Sequence, residues 1–239
     1  YNTFQHTHKA HSWEEFRKST LVTDEILQAI RESEIFVCDL THFNHNVLFE
    51  FGYALGFNKK ILVLLNPKIC LEEIGFSGDI YKNSIFKNIR YTPLSNKMDI
   101  LDAIKKESFE ENLFGKLVPE KNRTSNGEIL LYIRSGEKNQ AAIDLDDTID
   151  TLSKDGYFEC IVDDPTEVSY NTINWYINNI SRSKHIVFHF LGQNIKDYFL
   201  KNANNSFFAG IAAGLGKRII IFAPAKYAAP LDYHEILCQ

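Results

Sequence analysis

The stretches FGYALGFNKKILVLL (51–65) and AGIAAGLGKRIIIFA (209–223) decide the fold, because one can be laid on the other. Gly52 falls on Gly210, Gly56 on Gly214, Lys59 on Lys217 and Ile61 on Ile219. Each is a small, apolar helical run that ends at a basic residue and leads into a continuous apolar strand. Upstream, DEILQAIRESEIFVCDL (24–40) matches NTINWYINNISRSKHIVFHF (171–190), with Ile30 on Ile180, Ser33 on Ser183 and Val37 on Val187. Both are a helix, a serine and an apolar strand. Self-similarity at this scale means two tandem copies of one α/β unit. Apolar strands alternating with helices mean a parallel sheet covered on both faces. The predicted class is therefore α/β, with two tandem flavodoxin-like or Rossmann-like parallel-sheet units.

The polar run GKLVPEKNRTSNGE (115–128) separates the copies. The predicted units are residues 1–118 and 128–239, joined by a linker at 119–127. MDILDAIKKESFEENLF (98–114) reads as the helix closing the first copy. The second copy opens with the buried strand ILLYIRS (129–135), a helix over about 140–153 and the strand YFECIV (157–162). A helix near 170–181, a strand at 186–190, a long loop, a helix after Ser206 and a last strand follow. The first copy has only residues 1–22 for the equivalent of 129–162. It is expected to lack its opening strand and helix, with part of the natural N-terminus missing from the chain.

The 239 residues are 44% apolar and 24% charged, an ordinary globular mix. A net charge of −5 with no basic stripe disfavours nucleic-acid binding. No apolar run reaches the roughly 18–20 residues that span a bilayer, and nothing resembles a signal peptide. The cysteines at 38, 70, 160 and 238 form no CxxC pair and read as reduced thiols of a cytoplasmic protein.

In an open parallel sheet, ligands bind beyond the carboxyl ends of the strands. Asp39 lies at such an end. The loop LTHFNHN (40–46) follows, with Asn44 and Asn46 placed to cap a helix or hold a ligand. Glu50 lies about one turn into that helix, between Phe49 and Phe51, where a carboxylate can face the crevice. Gly52 and Gly56 make a smooth helix face expected to pack on a strand, and Lys59 and Lys60 are expected to end the helix.

The stretch DLTHFNHNVLFEFGYALGFNKKILVLL (39–65) resembles the DLTGxNPNVxYELGxAxxxxKPVIL signature of the nucleoside 2-deoxyribosyltransferase-like family, which is related to bacterial TIR-like domains. The likeness runs from about Thr23 to Pro67. His42, His45 and Phe51 stand where the family has Gly, Pro and Leu. The resemblance implies that Glu50 is the catalytic glutamate. It places Asp39, Thr41, Asn44 and Asn46 where polar groups bind the nucleoside, and Tyr53 would stack on a base beside Phe49 and Phe51. The implied activity is cleavage of the ribose–base bond of a nucleoside, nucleotide or NAD, without a cofactor, in a homo-oligomer or a larger assembly such as a bacterial antiviral defence effector. A carboxylate beside an anomeric carbon suits that chemistry, as a nucleophile or as a stabiliser of the oxocarbenium centre. In the second copy Asp39 becomes His189 and Glu50 becomes Phe208, so that copy is expected to be degenerate. The rival reading is a non-catalytic nucleotide-sensing module, and a third is a structural pseudo-dimer that scaffolds partners.

Other motifs carry less. His6, His8 and His11 sit in a loop-like stretch with no second ligand cluster. Ser77 lacks a G-x-S-x-G frame. GLGKR (214–218) ends a helix and does not open one, so it is no phosphate loop. His185 and His189 are expected to be strand residues with satisfied hydrogen bonds. Tyr132, Trp175 and Tyr176 are expected in the core.

Overall fold

The structure is a computed structural model that describes residues 22–66, 85–94, 97–106, 128–165, 171–195 and 198–224. The first unit contains α1 (Val22–Glu32), β1 (Ile35–Asp39), α2 (His45–Gly56), β2 (Lys60–Leu65), β3 (Thr92–Pro93) and α3 (Lys97–Lys105). The second contains β4 (Ile129–Ile133), α4 (Gln140–Lys154), β5 (Glu159–Asp163), α5 (Ile173–Arg182), β6 (His185–His189), α6 (Tyr198–Gly214) and β7 (Arg218–Phe222). The predicted linker at 119–127, the histidines at 6, 8 and 11, Cys70, Cys238 and Ser77 lie outside the described residues.

Both sheets are parallel, as the apolar strand runs demand. The first has the order β1-β2-β3 and the second β5-β4-β6-β7. In the second, the chain runs from β4 outward to β5 and then returns to the other side of β4. That order has a switch point between β4 and β6, the flavodoxin-like arrangement. By the sequence repeat β1 matches β6 and β2 matches β7. Among the described residues β1 has a sheet partner on one side only, where β6 has two. Val37, in the middle of β1, is 42% exposed, while its repeat partner Val187 is buried.

Side chains alternate across each strand, so the inner strands pack on both sheet faces. Leu62 and Leu64 point to Ala103 on α3, and Ile61, Val63 and Leu65 point to the central core. Leu130, Tyr132 and Val187 pack on Leu145 and Ile149 of α4, while Leu131, Ile133, Ile186 and Phe188 join the same central core. The layers run α3, first sheet, α1 with α2, α6 with α5, second sheet, α4.

The centre of the molecule is the contact of α2 with α6. The smooth face of Gly52 and Gly56 packs on α6, not on a strand as the sequence led us to expect. A Cβ on Gly52 would overlap the Phe207 carbonyl oxygen, and one on Gly210 would overlap the Phe49 carbonyl oxygen. A Cβ on Gly56 would lie 2.8 Å from the Ile211 oxygen, and one on Gly214 would lie 2.6 Å from the Tyr53 oxygen. The contacts are reciprocal and advance along both helices in the same direction. The helices are therefore parallel and related by a pseudo-two-fold axis. Glycine every fourth residue is the pattern that lets two helix backbones touch. Parallel helices also bring the carboxyl ends of both sheets to the same end of the molecule.

Several boundaries differ from expectation. α2 begins at His45, with Asn44 as its N-cap accepting from Asn46 N–H at 2.9 Å, and ends at Gly56. Lys59 follows the helix, and Lys60 opens β2. Lys59 Nζ instead donates to the carbonyls of Arg31 and Ser33, closing the end of α1. Lys217 Nζ does the same for Ser181 at the end of α5. The predicted loop before Ser206 is helical from Tyr198, which makes α6 a 17-residue helix against 12 in α2. Its polar run KNANNS (201–206) conceals the helix, because Lys201, Asn202 and Asn205 reach out of it to the backbone of Ser135, Leu191 and His189. Cys38 is a buried free thiol and Cys160 a half-buried one.

Candidate functional site

The carboxyl end of β1 carries the residues predicted from sequence. Asp39 Oδ1 accepts from Thr41 N–H at 2.9 Å and from the Thr41 hydroxyl. Thr41 Oγ1 in turn accepts from Asn66 N–H at 2.9 Å, at the end of β2. This network ties the loop after β1 to the neighbouring strand end, because a tight turn leaves backbone donors that a short side chain must take up. Thr41 is buried and Asp39 exposed. Asn44 is spent on its cap. Phe43 adopts φ 48° in the turn and buries its ring against Phe86.

Glu50 is half-buried on α2. Together with Asp39 it adds to the burial that pushes the Cys38 thiol far above its ordinary range, which sets both carboxylates within electrostatic reach of the end of β1. Asn46 is four residues before Glu50, on the same helix face. Its Oδ1 is buried with no hydrogen-bond partner. The structure thus brings Asp39, Asn46 and Glu50 to one sheet edge. It does not bring Tyr53 there: that side chain is 2% exposed, accepts from Arg31 Nε and packs at a tilt on Phe57, toward the far end of α2. Nor are Phe49 and Phe51 open walls, since both are fully buried and Phe51 packs on Phe207 across the helix pair. The two phenylalanines anchor α2, which fixes the azimuth of the acid between them.

The second unit lacks acids at the positions of Asp39 and Glu50, and its crevice carries one from a different element. Asp163 ends β5 at 6% exposure, accepting from Tyr176 Oη at 2.6 Å and from Asn171 Nδ2 at 2.7 Å. Burial holds its carboxyl above the ordinary range, and those two hydrogen bonds pull the other way. The crevice beside it lies between the ends of β4 and β6 and is lined by Ser135, Asp163, His189, Lys201, Asn204 and Phe208, among others. Tyr176 and Phe208 stack at its wall, with ring centroids 4.2 Å apart.

The polar run of α6 builds this site. Asn202 donates to Leu191 O at 2.9 Å and accepts from Leu191 N–H at 2.8 Å, pairing a loop backbone as a strand would. Asn205 Nδ2 donates to His189 O at 3.1 Å. His189 is not satisfied as expected: its Nδ1 is buried without a partner, and so is Asn204 Oδ1. Burial also lowers the His189 pKa, so its ring is neutral near pH 7. Arg134 is committed to Asp146 and to Asp164, the latter at 2.6 Å. Asp163, Lys201, Asn204 and Asn205 were missed in the sequence. The signals were an acid directly after an apolar strand, and a run of polar residues in a segment otherwise matched to an apolar helix.

Among the described residues no group of three or more His, Cys, Asp and Glu is placed to hold a metal ion, and no helix is long and apolar enough to cross a membrane. No protein-family model matches the chain, and no curated protein and no solved structure matches it either.

Proposed function

We propose that the first unit cleaves the ribose–base bond of a nucleoside, nucleotide or NAD, with Glu50 as nucleophile or cation stabiliser. One observation carries the reading. Glu50 and Asn46 share one face of α2 above the carboxyl end of β1, and Asn46 keeps a buried carbonyl oxygen without a partner. A half-buried carboxylate is desolvated enough to favour an adjacent oxocarbenium centre over bulk water. The Asn46 oxygen would accept a sugar hydroxyl and turn the anomeric carbon toward the acid. Asp39 and Thr41 shape the loop that supports both, and Asn44 fixes the start of the helix. The N-glycosidic bond breaks as the carboxylate adds to, or shields, the anomeric carbon. The base leaves with the bonding pair, and water or an acceptor base completes hydrolysis or transfer.

The test is incubation of the full chain with NAD and a panel of nucleosides, with base release followed by chromatography. Glu50→Gln is expected to lower turnover by about 10³-fold or more, and Asn46→Leu to raise KM more than it lowers kcat. Turnover unchanged in Glu50→Gln overturns the assignment. The polar crevice of the second unit favours a second reading, a nucleotide-sensing module without turnover. Saturable binding with no base released, indifferent to Glu50→Gln, would select it.

A further inference from the structure

The crevice of the second unit has the features of a built site. It sits at the switch point between β4 and β6, where open parallel sheets leave a gap for ligands. Two side chains that are more than nine-tenths buried, His189 at 7% exposure and Asn204 at 6%, each hold a polar atom with no partner, and both residues line the crevice. An unmade hydrogen bond on a buried group is costly to leave open, so two in one crevice mark where a ligand supplies what the chain withholds.

The lining specifies the ligand. Asn204 Oδ1 is an acceptor and requires a donor. Neutral His189 Nδ1 accepts or donates according to its tautomer. Each oxygen of Asp163 already takes one hydrogen bond and keeps a further lone pair. Lys201 Nζ donates to Ser135 O at 3.1 Å and retains two more N–H groups. Both signs of charge are present, with Arg134 and Lys201 facing Asp146, Asp163 and Asp164, so neither an anion nor a cation is favoured. The groups needed are ones that donate and accept at once, which is what neighbouring hydroxyls do. The crevice is narrow and open on one side, with about 40 Å³ accessible to water-sized groups, enough for small polar groups to enter. That admits a hydroxylated edge of a sugar, with the rest of the ligand at the open side.

We infer that this crevice is a second binding site, distinct from the Glu50 edge, that takes the vicinal-diol face of a neutral ribosyl group and leaves the group attached to that sugar at its open mouth. The site stands whether or not Glu50 turns anything over.

The experiment is isothermal titration of the full chain carrying Glu50→Gln, which leaves substrate intact if the first unit is an enzyme. The probes are adenosine, 2′,3′-dideoxyadenosine and inorganic phosphate. Adenosine is expected to bind saturably and the dideoxy analogue at least tenfold more weakly, because a site built around hydroxyls is left unpaired by an analogue lacking them. Phosphate is expected neither to bind nor to compete. Adding Asn204→Leu, an apolar replacement of similar size, is expected to weaken adenosine about tenfold or more while the melting temperature holds or rises. His189→Phe serves the same purpose should the leucine variant fail to fold. The proposal is overturned by no saturable binding at millimolar adenosine, by equal affinity for the dideoxy analogue, or by displacement with phosphate. It is also overturned if binding survives Asn204→Leu but is lost with Asn46→Leu, which would seat the sugar in the first unit. Failure of the Glu50 assignment shows only in base release, which this titration does not read.

Discussion

The two units place their acids differently on one framework. The first carries Glu50 on α2, with Ile26 at the α1 position that the repeat matches to Tyr176. The second puts Phe208 in the place of Glu50, stacks it on Tyr176, and uses the Tyr176 hydroxyl to hold Asp163 at the end of β5. An acid on a helix face and an acid on a strand end both reach the carboxyl edge of a parallel sheet. The units share the glycine pair, the lysine that closes the preceding helix, and an asparagine one turn before the Glu50 or Phe208 position. Asn46 and Asn204 even share the same unpartnered oxygen. The parts that set backbone distances and this one asparagine are common to both units, while the acids at the sheet edge differ.

The most severe way to break this comparison is at the helix pair. Gly52→Val and Gly210→Val push a side chain into opposing backbone, which cannot rotate away as a flexible side chain would. Each is expected to destabilise by about 3 kcal/mol, read as the shift in urea midpoint. The pseudo-two-fold axis requires the two losses to be similar, and a large loss from one with little from the other would refute reciprocal packing. Gly156→Ala is the control. Gly156 has φ +76° with nothing within 4 Å of an added Cβ, so only the backbone preference of about 1 kcal/mol is at stake.

Acidification tests the buried titratable groups of both units next. Burial lowers the pKa of His45 at the start of α2 and of His189 in the second crevice. Near the ordinary histidine value of 6.5 the unfolded chain therefore binds more protons than the folded one. Stability is present above that value and lost as pH falls toward the folded pKa values. Asp163 has the opposite sign. Its pKa is raised from 3.8, the folded state binds the extra proton, and its contribution is lost as pH rises through the folded pKa. Urea midpoints from about pH 7 to pH 5 are expected to fall for the parent chain, and to fall less for His45→Gln and His189→Gln. Asp163→Asn is expected to steepen the acid loss by removing the opposing term. A profile left unchanged by both His45→Gln and His189→Gln would contradict the burial of the two histidines.

The legible part of the sequence was its framework. Apolar strands, serine-terminated helices and glycines at a four-residue spacing fixed two parallel-sheet units, because those features depend on local period and backbone clearance. The partner of the glycine face was not legible, since closeness of approach reads the same against a strand or a helix. Asp39, Asn46 and Glu50 were visible because strand end, loop and helix are contiguous in sequence. The second crevice was not, because Asp163, His189 and Asn204 come from β5, β6 and α6, and no local pattern joins them. The polar run before Ser206 read as a loop for a physical reason: asparagine prefers turns, and only tertiary hydrogen bonds to Leu191 and His189 hold it in a helix here.

The smallest expected effect probes the repeat at its most conservative pair of contacts. Lys59 and Lys217 occupy matched positions and both donate to carbonyls at the end of the preceding helix, where the dipole favours a cation. They differ in cost. Lys59 satisfies two carbonyls, Arg31 O and Ser33 O, while Lys217 donates to Ser181 O and is buried enough that desolvation lowers its pKa. Removing a charged donor loses about 1 kcal/mol of hydrogen bonding when its desolvation cost is small. Lys59→Met is therefore expected to lower stability by about 1 kcal/mol. Lys217→Met sheds a desolvation cost along with its single bond, and is expected to stay within about 0.5 kcal/mol of the parent. Urea denaturation at neutral pH resolves the two. A larger loss at Lys217 would mean that the second unit, and not the first, relies on this strap to hold its helix against the sheet.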